Sequence, residues 1–118
     1  MDVLQTFTSP DGFLKLLVVR SGEDISIGFD GSDWHTHPDI IAYEYGVPEE
    51  QAVDWFVREV TGNRLTIAVS RVAGGVRAVW ITDNPSDELR HLDEGETIQF
   101  RKWDGSEVIH QDRPSTSP

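Results

Sequence analysis

Between Pro48 and Thr61 the apolar residues Ala52, Val53, Phe56, Val57 and Val60 recur at i, i+3 and i+4, the spacing of one face of an α-helix. Pro48 suits the start of such a helix, and Glu49 and Glu50 place negative charge at the positive end of its dipole. Gly62-Asn63 ends it. Before Phe29 and after Arg64 the pattern is of period two, so the amphipathic helix buries its apolar face against sheet. The predicted fold is therefore α+β: an antiparallel sheet of about six or seven strands with the helix 48–61 packed on one face.

The strands follow from alternation and turn chemistry. Met1 to Ser9 alternates weakly through Val3, Thr6 and Phe7, and Ser9-Pro10-Asp11-Gly12 is a turn in which Pro presets φ and Gly takes positive φ. Phe13 to Arg20 is nearly continuous in apolar residues, which predicts a central strand covered on both faces. Ser21-Gly22-Glu23 turns the chain into Asp24–Phe29, where Ile25, Ile27 and Phe29 share a face. A short helix is expected from Asp39 to Tyr45, closed by Gly46, with Thr36 and Asp39 spaced as a capping box and Pro38 in the first turn.

Beyond the main helix, Arg64–Val72 and Val76–Thr82 read as a hairpin around Ala73-Gly74-Gly75. The polar segment from Asp83 to Gly95 reads as a surface connection with one helical turn near Ser86 to His91. Thr97–Trp103 and Glu107–His110 flank Asp104-Gly105, the pair favoured in a tight two-residue hairpin. Gln111 to Pro118 is small and polar, and a frayed tail is expected there, which leaves 1–110 as one domain.

Chain length and chemistry bound the function. With 118 residues, four Trp and five Phe, the chain is large enough for one real core. Cysteine is absent, which removes disulfides, thiolate zinc sites and cysteine nucleophiles, and makes the reducing cytoplasm the expected compartment. The first residues have neither the basic region nor the apolar run of a signal peptide, so an unexported chain is expected, and no stretch is long enough to span a membrane.

Net charge is −11, and it is concentrated. From Asp30 to Glu59 there are eight carboxylates (Asp30, Asp33, Asp39, Glu44, Glu49, Glu50, Asp54, Glu59) against Arg58 alone. A field of that sign repels phosphate backbones and anionic lipid, whose ligands are Lys and Arg. Direct binding to nucleic acid or membrane is therefore disfavoured, and a cation or a basic protein partner is favoured. Acidic residues that only keep a small protein soluble are the competing explanation.

The corner from Phe29 to Asp39 gathers His35, His37, three carboxylates and Trp34. An H-x-H pair on extended backbone points both rings to one side, about 7 Å apart, and the alternative expectation is a zinc site at His35 and His37 with Asp33 supplying oxygen. His35-Thr36-His37-Pro38 resembles the H-x-H-P core of the JAMM metalloproteases, and that resemblance implies a metal-dependent hydrolase. It ends after four residues: Pro48 stands where that family has its metal-binding Asp, and no Ser precedes it. Acid/base chemistry by a histidine beside Asp33 or Asp39 is conceivable on the same residues, but no nucleophile elbow or phosphate-cradling loop accompanies it.

Aromatic and acidic side chains interleave through the same third of the chain. Asp33, Trp34, Asp39, Tyr43, Glu44, Tyr45, Glu50 and Asp54 are the expected partner-binding residues, with aromatics burying area and carboxylates steering a basic partner. In size, acidity and absence of cysteine the chain resembles small bacterial immunity proteins, which block basic toxin or nuclease domains. The expectation is a non-catalytic, acidic protein-binding module without cofactor, with the metal-dependent hydrolase as alternative.

Overall fold

The computed structural model describes residues 1–108. The expected tail at 111–118, and Ile109 and His110 of the last expected strand, lie outside the described residues. The described residues form seven strands and three α-helices in the order β1 (Asp2–Thr8), β2 (Lys15–Ser21), β3 (Asp24–Phe29), β4 (His35–Thr36), α1 (Pro38–Tyr45), α2 (Ala52–Thr61), β5 (Thr66–Val72), β6 (Gly75–Thr82), α3 (Pro85–Leu89) and β7 (Glu96–Arg101). Among the described residues no helix is long and apolar enough to cross a membrane.

The strands form two antiparallel sheets, not one: a four-stranded meander β1-β2-β3-β4 and a three-stranded sheet β6-β5-β7. The break falls where β4 ends. Pro38 begins α1 two residues after β4, and a residue with fixed φ and no N–H cannot extend a ladder. What joins the sheets instead is side-chain bonding and a shared core. The Ser32 hydroxyl donates to Val79 O at 2.9 Å and accepts from Val79 N at 3.0 Å, and Arg101 in β7 reaches Asp11 in the β1–β2 turn at 2.8 Å.

One apolar cluster draws on both sheets and both longer helices: Leu16, Val18, Ile27 and Phe29, then Ile41, then Phe56 and Val60, then Ile67, Val69 and Val79. Helix α2 buries Ala52, Phe56, Val57 and Val60 as the periodicity requires, with Val53 at the margin. Each of the three larger side chains contributes about 1.5–3 kcal/mol by leaving water.

A 3₁₀ turn at Glu49–Gln51, not an α-helical turn, leads into α2. At its other end Asn63, not Gly62, takes the left-handed conformation with φ 64°, and Asn63 N to Val60 O and Arg64 N to Glu59 O close a Schellman motif. Gly62 is needed for room, since a Cβ there would stand 2.7 Å from Arg58 O. The capping box is not formed: His37 is the N-cap of α1 and makes no side-chain cap, while Thr36 is buried in β4. Gly46 closes α1 with φ 70° as expected.

Strand β2 is central but is covered on one face only, because among the described residues no element lies across the outer face of the meander. Leu16 and Val18 are buried while Leu17 and Val19 remain half-exposed. The hairpin β5–β6 forms as predicted, through a loop in which Ala73 and Gly74 both have positive φ. The last turn is larger than two residues. Lys102 N bonds Ser106 O, Gly105 N bonds Lys102 O and Gly105 has φ 96°, so Trp103-Asp104-Gly105 form a three-residue loop and Trp103 goes into the core. The segment after β6 holds its helical turn as α3, and Trp80 Nε1 donates to Glu88 at 2.9 Å to tie that turn to the sheet.

Candidate functional site

The β2–β3 hairpin turns at Gly22-Glu23, with Gly22 at φ 64°, so Glu23 and Asp24 stand at its tip. Next to that tip lies the N-terminus of α1, because β4 pairs with β3 through Ile27↔Thr36 and Gly28↔His35. His37 Nδ1 reaches Ile25 O at 2.9 Å and fastens the two segments. The 3₁₀ turn before α2 brings Glu49 and Glu50 to the same place.

The result is an open cleft of about 960 Å³ lined by Glu23, Asp24, Asp39, Glu49, Glu50 and His37, together with Ile25, Pro38 and Ile40. Five acidic residues from three separate elements line one space, and among the described residues its lining contains neither Lys nor Arg. Among the described residues none of the five is engaged in an ion pair. A space lined in this way has a negative potential that attracts a positive group. Ile40, 40% exposed, adds an apolar contact to the lining.

The residues expected from the sequence are distributed over several surfaces. Asp39 and Glu50 line this cleft. Glu44 and Tyr45 line a smaller cavity of about 250 Å³ with Ile81 and Asp83. Asp33 and Trp34 border a shallow depression on the outer face of the meander, with His35, Leu17 and Val19. Tyr43 projects into solvent at 90% exposure, and Asp54 lies exposed in the first turn of α2.

Two of the aromatics are partly structural. Trp34 stacks on Phe29 with centroids 6.1 Å apart, and Tyr45 packs on Trp55 at 4.9 Å. Burial pushes the Tyr45 hydroxyl above its ordinary pKa, and Glu44 and Asp83 add to the shift by repelling a phenolate.

Sequence reasoning missed Glu23, Asp24, Glu49 and Ile40 as site residues. Glu49 lies within the acidic run and could have been included on charge alone. Glu23 and Asp24 lie outside it, and only the strand pairing β2–β3–β4 brings them beside α1.

His35 and His37 do come together: their ring centroids are 5.0 Å apart and the rings are nearly perpendicular. Thr36 between them points into the core, so the two rings share the outward side as alternation requires. Gly28 makes room for this corner, since a Cβ there would stand 2.6 Å from Trp34 O and 3.2 Å from His35 Cβ. Among the described residues no three His, Asp or Glu side chains are grouped to hold a metal ion. Comparison with protein-family models, with curated proteins and with solved structures returned no match, so the site stands on its own residues.

Proposed function

We propose that the protein is a non-catalytic binding module whose acidic cleft receives a basic segment of another protein, in the manner of an immunity-type inhibitor of a basic toxin or nuclease domain. The observation that carries this reading is that Glu23, Asp24, Asp39, Glu49 and Glu50 line one cleft whose lining, among the described residues, has no Lys or Arg. Unpaired carboxylates held by three elements are already positioned, so a guanidinium or ammonium group gains their field without reorganising the fold. Ile40 and the stem of a bound Arg or Lys would cover one another.

The test uses the basic protein encoded beside this chain's gene, the arrangement expected of an inhibitor and its toxin. A variant neutralised at the five cleft carboxylates is compared with a control neutralised at Asp2, Asp30, Asp87, Glu94 and Glu107, which has the same net charge. Binding lost in the first and kept in the second supports the reading. Equal loss in both would show that net charge, not the cleft, is responsible.

A further inference from the structure

The histidine pair adjoins the carboxylate cleft, whose lining includes His37, and its ring spacing fits a shared ion. His35 Nδ1 lies 3.0 Å from Asp33 O, and His37 Nδ1 lies 2.9 Å from Ile25 O. A carbonyl oxygen can only accept, so in both rings Nδ1 carries the hydrogen and donates it. A ring that binds through Nδ1–H has its second nitrogen, Nε2, left as the ligand atom, and the backbone bond at Nδ1 holds each ring in place. An imidazole oriented through its other nitrogen by a backbone carbonyl is the usual condition of a metal-ligating histidine.

Ring separation agrees with this. Two imidazoles on one ion, with metal–nitrogen bonds of about 2.1 Å and a tetrahedral angle, have centroids about 5 Å apart. The observed separation is 5.0 Å, and the near-perpendicular ring planes are free of steric conflict in such a pair. His35 is exposed and His37 half-exposed, so an ion and its waters can reach them. The carboxylates of the neighbouring cleft, which His37 also lines, raise the local concentration of cations.

We propose that His35 and His37 form a two-imidazole site for a single borderline divalent cation, Zn²⁺, Ni²⁺ or Cu²⁺, bound through the two Nε2 atoms with water in the remaining positions. Nitrogen ligands favour these ions over Mg²⁺ and Ca²⁺, which select oxygen. The site is a binding site and carries no reaction. The site does not require the partner proposed for the cleft, although His37 belongs to both.

The test is calorimetric titration of metal-free protein, produced without a histidine tag, with Zn²⁺ and with Ni²⁺. The variants are His35→Asn and His37→Asn. Asparagine sets an amide N–H where Nδ1 stands, so the bond to the backbone carbonyl is kept while Nε2 is removed. Expected are one ion per chain in the wild type and a loss of affinity of roughly tenfold or more in either variant, since a ligand matters no less than the outer partners whose removal costs that much. His91→Asn, remote on the chain, should bind as the wild type does. Binding unchanged in both variants, or displaced by excess Ca²⁺, would assign the ion to the carboxylates and overturn the proposal, as would no binding at all. Circular dichroism of the metal-free variants separates loss of ligand from loss of fold.

Discussion

The Ser32 hydroxyl satisfies both peptide groups of Val79, forty-seven residues away, donating to the carbonyl at 2.9 Å and accepting from the N–H at 3.0 Å. A single side chain thereby occupies the edge of β6 where a further strand would pair, and it ties the corner after β3 to the second sheet. An open edge is a site of unwanted pairing, and here it is partly closed by a residue of the same chain. Ser32→Ala leaves both groups of Val79 without this partner in a half-buried place. The expected loss is about 1–3 kcal/mol, read as a lower urea midpoint with unchanged slope.

The second tie between the sheets is ionic. Arg101 is buried, and its guanidinium reaches Asp11, Lys102 O and Trp103 O while lying 5.3 Å from the centre of the Phe13 ring. The hydrogen bond from Arg101 holds the Asp11 carboxyl well below the usual carboxylate range, and the Ser9 hydroxyl adds to the effect. With its folded pKa lowered, Asp11 contributes stability above the unfolded value of about 4, and that contribution is lost as pH falls below it toward the folded value. Asp11→Asn should cost about 1–2 kcal/mol at pH 7, toward the low end because the carboxylate is partly exposed. The gap between wild type and variant should narrow at pH 3. A gap that widens in acid would contradict the assignment.

Gly28 sets how closely β4 approaches β3. Gly28→Ala places a methyl group against Trp34 O at 2.6 Å, a contact that backbone must move to relieve. A loss of about 1–3 kcal/mol is expected, as for other insertions into a packed position. The histidine pair should respond as well, because His35 lies over the same glycine. Weaker Ni²⁺ binding in the folded variant, measured by calorimetry, would connect the two effects.

Tyr45 reports on the smaller acidic cavity. In a Tyr43→Phe background, absorbance titration follows Tyr45 alone, and its ionisation should lie above the ordinary tyrosine value of about 10. Replacing Glu44 and Asp83 by Gln and Asn removes two negative neighbours, so the pKa should fall. Burial is the larger cause, and some elevation should persist.

For the main cleft the electrostatic signature is kinetic. Neutralising its five carboxylates should slow association with a basic partner by about tenfold or more at low ionic strength. The difference should shrink as salt rises and screens the field. Stopped-flow measurement at two salt concentrations decides this, and a difference independent of salt would point to lost contacts instead of steering.

What the sequence determined was local. The apolar spacing of Phe56, Val57 and Val60 marks out α2, and Gly22, Gly46 and Gly74 turn or stop the chain at φ values that L-residues seldom take. Concentrated acidity between Asp30 and Glu59 was also legible, because charge is a property of residues and not of contacts. Tertiary structure alone decided which strands share a sheet, and it did so through partners far apart in the chain: Ser32 with Val79, and Asp11 with Arg101.

The site followed the same division. Asp39 and Glu50 were visible as acidic residues near a helix start, yet nothing in period or charge assigns Glu23 and Asp24 to them rather than to solvent. Strand register does so, by laying the β2–β3 tip beside the first turn of α1, and register depends on which distant faces are buried together. The histidines show it at the smallest scale. Alternation puts His35 and His37 on one side of the chain, but Asp33 O and Ile25 O, one local and one from the neighbouring strand, decide which nitrogen of each ring is left free.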